Sequence, residues 1–100
     1  MKPIDYNDSS EKELTVKLPK RYRVVIYRDK ETPRHFILLL LMRHFQKSIH
    51  ESKELVEELE QKGFVIVGTY THEIAETKST KVLILAKKNS YPLRCSFEPE

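Results

Sequence analysis

One cysteine and two glycines in 100 residues are both low counts, and each scarcity narrows what the chain can be. A single thiol, Cys95, rules out an internal disulfide and fits a reducing compartment. The sequence shows no neighbour that would activate Cys95, so it reads as a small core side chain. Neither a Walker loop nor a glycine-rich dinucleotide loop occurs, HExxH and CxxC are absent, and His35, His44, His50 and His72 include no i, i+4 pair. No catalysis, metal or cofactor is therefore expected. Long apolar runs are missing too. The longest uncharged one, Phe36 to Met42, is far short of the ~20 residues a bilayer span needs, so no membrane contact is expected. Met1 to Lys20 is charged throughout and lacks an apolar stretch before a cleavage site, so the expected location is cytoplasmic.

What is present suits one globular domain. Hydrophobic residues make up 39% and charged residues 33% of the chain, enough apolar material for one core and too much for broad disorder. The net charge of +3 is mildly basic and permits a nucleic-acid partner without selecting one. Lys17, Lys20, Arg21, Arg23, Arg28, Lys30 and Arg34, with Tyr22 and Tyr27 among them, would give a basic surface with aromatic platforms. Against this, Glu54, Glu57, Glu58 and Glu60 line one later helix and would repel phosphate, so nucleic acid is the unlikely partner.

Residues 1–18, dotted with Asp5, Asp8, Glu11, Lys12, Glu13 and Lys17, read as a flexible arm before a core domain over 19–100. Tyr22 to Tyr27 is β-branched and aromatic, hence a strand. Thr32-Pro33 marks a helix start, with the threonine hydroxyl expected to cap it, and the helix should run to about Gln46, leaving Leu39 among its polar positions. Ser48 and Glu51 match a capping box, and Gly63 suits the stop of a second helix over Ile49 to Lys62 with Leu55, Val56 and Leu59 inward. Phe64 to Tyr70 is an almost continuous apolar strand. Thr71 then offers an N-cap to a third helix reaching about Lys88, expected to bury Ile74, Ala75, Val82, Leu85 and Ala86. Leu93, Cys95 and Phe97 alternate with polar residues in a last, half-buried strand. The expected fold is α+β, in the order β-α-α-β-α-β.

The run Gly68-Thr69-Tyr70-Thr71-His72-Glu73-Ile74-Ala75-Glu76-Thr77-Lys78 resembles, without a gap, the G-x-[FY]-T-x-E-[IV]-A-E-T-K motif of the ClpS adaptor family. Tyr22 to Val25, Thr32-Pro33, Phe36, Asn89, Pro92-Leu93 and Cys95 also fall at that family's spacing, so the resemblance spans Pro19 to Glu98. It implies a three-stranded antiparallel sheet packed on three helices, a fold shared with the C-terminal domain of the ribosomal stalk protein. It also implies an adaptor that delivers proteins to a ClpA- or ClpC-type AAA+ unfoldase, for ATP-dependent proteolysis by the ClpP peptidase. The partners it implies are the unfoldase N-terminal domain, docked through Glu73, Glu76 and Lys78, and substrate protein N-termini. The arm would engage the unfoldase during handover. A purely structural account assigns Glu73 to the positive end of its helix and lays the Lys78 stem on the core. Ile84, near Glu73 and Thr77 by helical spacing, would add apolar contact area.

The substrate pocket departs from the family. Its members read a free α-amine with an N-D-D-x-T-P loop and a histidine, and sink a bulky N-terminal side chain into an apolar hole. This chain has Arg28-Asp29-Lys30-Glu31-Thr32-Pro33, carries Glu60 at the histidine position, and replaces a gating methionine with Arg34. Asp29, Thr32 and an apolar lining of Ile37, Leu59 and Leu93 remain. Arg28, Asp29, Lys30 and Glu60 sum to zero charge, against about −2 in the family, so a cationic amine loses its net attraction. An inward-pointing guanidinium ~7 Å from the ammonium would oppose it by roughly 2 kcal/mol at an effective dielectric near 20, a more than tenfold loss of affinity. Arg28 turned to solvent or onto Glu60 would leave Asp29 free for the amine. Weakened or altered N-terminal specificity is expected, with a regulatory decoy that occupies the unfoldase without cargo, or a ribosome-associated module, as alternatives.

Overall fold

A computed structural model describes residues 19–100, and the arm expected over 1–18 lies outside the described residues. Six elements follow one another as β1 (Tyr22–Tyr27), α1 (Arg34–His44), α2 (Ile49–Lys62), β2 (Phe64–Tyr70), α3 (His72–Lys88) and β3 (Arg94–Pro99), in the expected order. β1 lies at the centre of a three-stranded sheet and pairs antiparallel with β2 on one side and β3 on the other.

The helices cover one face of this sheet. Val24, Ile26, Val65 and Val67 join Leu41, Val56, Leu59 and Val82 in a single buried cluster. β2 is almost continuously apolar, and it buries alternate residues only: Phe64 and Ile66 remain 45% and 41% exposed. An antiparallel sheet can leave one face to water, and that face is tied here by polar cross-strand pairs. Arg23 Nε donates to Glu98 Oε2 at 2.9 Å, and the Tyr27 and Ser96 hydroxyls lie 2.9 Å apart.

A bulge interrupts the β1–β2 ladder, where Val24 pairs with Gly68 but Val25 pairs with Ile66, leaving Val67 as the extra residue. Gly68 also leaves room for an aromatic ring, since a Cβ built there would fall 2.6 Å from Tyr70 Cζ. The Tyr70 ring packs against the core cluster.

Helix ends follow local chemistry. At α2, Glu51 N donates to Ser48 Oγ at 3.0 Å while Ser48 N donates to Glu51 Oε1 at 2.9 Å, which is the reciprocal box read in the sequence. Gly63 closes α2 at φ 89°. With so few glycines, the turns after α1 and α3 use Gln46 and Ser90 at φ 53° and 62°, a left-handed geometry that costs an L-residue about 1 kcal/mol.

Three expectations need correction. Thr32 does not cap α1. Its hydroxyl is engaged by Asp29, so Pro33 takes the N-cap position and the first turn closes on the Pro33 carbonyl. Thr71 makes no side-chain cap bond either; its carbonyl accepts Ala75 N at 2.9 Å. Ile74 is 48% exposed rather than buried, because Ala75, Ser79, Val82 and Ala86 form the inward stripe of α3 and Ile74 lies beside it. Ser52, which the pattern did not mark, sits fully buried on α2, and its hydroxyl has no hydrogen-bond partner among the described residues.

Candidate functional site

The loop between β1 and α1 is organised by Asp29. Its Oδ1 accepts the amides of Glu31 and Thr32 at 2.8 and 2.7 Å, and its Oδ2 accepts the Thr32 hydroxyl at 2.7 Å. Partial burial pulls this carboxyl upward, but those three donors outweigh it and hold Asp29 below its ordinary pKa. One acceptor position remains on Oδ2 for an external donor.

Two arginines converge on the last turn of α2. Arg28 Nη1 donates to the Glu60 backbone carbonyl at 2.8 Å, placing a cation at the negative end of that helix. Arg34 Nη1 donates to Glu60 Oε1 at 2.6 Å. The guanidinium expected to oppose a bound amine is therefore turned onto α2. Two of the departures from the family pattern, Arg34 and Glu60, carry opposite charges and form an ion pair of their own. Both partners are nearly half exposed, at 47% and 45%, so the pair contributes about 0–1 kcal/mol. Beneath this rim, Ile37 lies one turn after Arg34, Leu59 directly precedes Glu60, and both share one buried cluster with Leu93. Hydrogen bonds bring Arg28 and Arg34 to Glu60 and join Asp29 to Thr32, while Ile37, Leu59 and Leu93 belong to the buried core. Burial pushes the Cys95 thiol up to about 12, so little thiolate exists at neutral pH.

The second candidate surface is the start of α3. His72 packs edge-on against Tyr22 and Phe97, with ring centroids 4.8 and 5.3 Å away, which anchors the first turn on β1 and β3. Glu73 and Glu76 are exposed. Ile74 beside them and Ile84 further along, 59% exposed, add apolar surface, and a shallow groove lined by Glu76, Thr77, Thr80 and Lys81 runs along the helix. Lys78 is engaged inside the molecule. Its Nζ donates to the His44 carbonyl at 2.7 Å and lies 5.3 and 5.4 Å from the Phe45 and Tyr70 ring centroids. It binds α3 to the orphan carbonyls that end α1. Burial first, then Lys81, Lys78 and Arg43, lower the pKa of His44 at the same junction.

A crossed loop-and-helix rim over an apolar base, with an anchored charged helix elsewhere on the same domain, defines a small α+β binding domain. No cluster of three or more metal-ligating side chains occurs among the described residues. Residues 17–96 match the family model described as ATP-dependent Clp protease adaptor protein ClpS. The chain is 37% identical over 92 residues to the ATP-dependent Clp protease adapter protein ClpS of Hyphomonas neptunium, covering 92% of this chain and 78% of that one. It is 41% identical over 93 residues to the protein of the same name from Vibrio atlanticus, covering 92% and 88%. The structure of Agrobacterium tumefaciens ClpS2 bound to L-phenylalaninamide superposes with a TM-score of 0.80 at 31% identity, covering 83% of this chain and all of that one. The chain belongs to the ClpS family.

Proposed function

We propose that this chain is an adaptor that docks on the N-terminal domain of a ClpA- or ClpC-type unfoldase and presents proteins by their N-termini for ATP-dependent proteolysis. The match of family model and fold over nearly the whole described chain carries this reading. The docking surface is the start of α3. Glu73 and Glu76 present charge, Ile74 and Ile84 add apolar area, and Lys78 contributes by fixing α3 against the end of α1. The substrate enters over the Arg28, Asp29, Arg34 and Glu60 rim toward Ile37, Leu59 and Leu93. The α-ammonium is shared by Asp29, on its remaining Oδ2 position with Thr32 holding that carboxylate in place, and by Glu60, whose carboxylate it takes over from Arg34.

The test is binding of the labelled protein to isolated unfoldase N-terminal domain. Glu73→Ala combined with Glu76→Ala is expected to weaken association at least tenfold with the fold intact. Undiminished association of that variant would refute the docking surface.

The Arg34–Glu60 pair across the rim supports a second reading, in which the protein occupies the unfoldase without carrying cargo. Degradation of a reporter with N-terminal Phe separates the two: an adaptor accelerates it and a decoy slows it in the presence of a true adaptor.

A further inference from the structure

We propose that Arg34 reads a carboxylate on the bound chain, so that the rim selects N-termini whose second or third residue is acidic. The proposal rests on the adaptor reading of the pocket and names the substrate class for it.

Glu60 is the anion in the rim most open to exchange. Its carboxylate is held at Oε1 by Arg34 alone among the described residues, whereas Asp29 is bound on both oxygens by its own loop. The Arg34–Glu60 pair is nearly half exposed on both sides, so water already competes for it and an arriving ammonium can replace the guanidinium at small cost. That exchange releases Arg34 and leaves it close by, because its backbone is the first residue of α1, one turn above Ile37 of the apolar base. A substrate whose first side chain reaches Ile37, Leu59 and Leu93 must run its next residues out past this point. A carboxylate there meets a free guanidinium with fork geometry, and Arg28 keeps its place on the Glu60 carbonyl throughout. A lysine at the same position meets two arginines and Lys30. The carboxylate of Glu31 is exposed and is the acid closest to Arg34 in sequence, three residues before it, so removing this rival for the released guanidinium should sharpen the preference.

Three fluorescent peptides with free amines, identical except for Phe-Glu, Phe-Gln or Phe-Lys at the start, test this by anisotropy on the full chain. Phe-Glu is expected to bind about fivefold tighter than Phe-Gln and more tightly still than Phe-Lys, with the difference shrinking as salt is raised. Arg34→Met should abolish the Phe-Glu over Phe-Gln ratio, and Glu31→Gln should enlarge it. Equal binding of Phe-Glu and Phe-Gln by the unmodified protein overturns the proposal. So does a ratio that survives Arg34→Met, which would move the recognition to Lys30 or Arg28. Failure of all three peptides to bind, with unfoldase docking intact, instead refutes the pocket reading on which the proposal stands, and the proposal falls with it.

Discussion

Replacing Lys78 with methionine keeps most of the apolar stem and removes only the ammonium. The ammonium makes one charge-assisted bond of 2.7 Å to the His44 carbonyl and faces two aromatic rings at 5.3 and 5.4 Å. A hydrogen bond from a charged donor contributes about 1.5–3 kcal/mol and each cation–π contact about 0.5–1 kcal/mol. The rotamer freedom a lysine gives up on being held offsets up to ~2 kcal/mol of that sum. The expected net loss is about 1.5 kcal/mol, or a Tm lowered by about 6–12 °C for a domain of this size. Urea denaturation should show a lower midpoint at unchanged m, since the surface exposed on unfolding is the same. Hydrogen exchange should localise the effect, with the Phe45 amide, bonded to the Leu41 carbonyl, losing protection ahead of the rest of the core. A stability change under about 0.3 kcal/mol would show that solvent serves the end of α1 equally well and would refute the reasoning. The same variant clarifies docking experiments, because any loss of unfoldase binding at this position has to exceed what loosening the α1–α3 junction causes by itself.

Ser52→Ala removes a buried hydroxyl with no partner among the described residues and should stabilise the domain by about 1 kcal/mol in denaturant titration; destabilisation would mean the hydroxyl has an acceptor after all. Ile66→Thr should change stability by less than about 0.5 kcal/mol and Val67→Thr should cost about 2 kcal/mol, because one side chain faces water and the next faces the core. Asp29 has a folded-state pKa below its unfolded value, so its bonds contribute fully above the unfolded pKa of about 4 and are lost as pH falls through the folded value. The amide proton shifts of Glu31 and Thr32 should therefore stay constant from neutral pH to about 4 and move below it, and a transition near neutrality would contradict this.

The fold was legible wherever a local rule and the burial pattern agreed. The Ser48 and Glu51 box, the Gly63 stop and the stripe of Val56 and Leu59 were all written in residues a few positions apart. Reading failed where a side chain had a better partner elsewhere. Thr32 has the chemistry of a cap, but Asp29, three residues earlier, is the stronger partner for its hydroxyl and centres a loop of its own. Ile74 is apolar yet exposed, because packing and not apolarity alone sets which arc of α3 meets the sheet. In the candidate site, motif spacing located every position, but the partners of Arg28, Arg34 and Lys78 lie 26 to 34 residues away in sequence, and only the packing of α1 against α2 and α3 reveals them.

The empty space beside Gly68 links residues that no hydrogen bond connects. Tyr70 fills it, and the same ring lies 5.4 Å from the ammonium of Lys78, which holds two helices together. Positions 68 and 70 are therefore not free to vary separately: a methyl group at the first becomes tolerable only once the phenol at the second has been trimmed, so their substitution effects should interact rather than add.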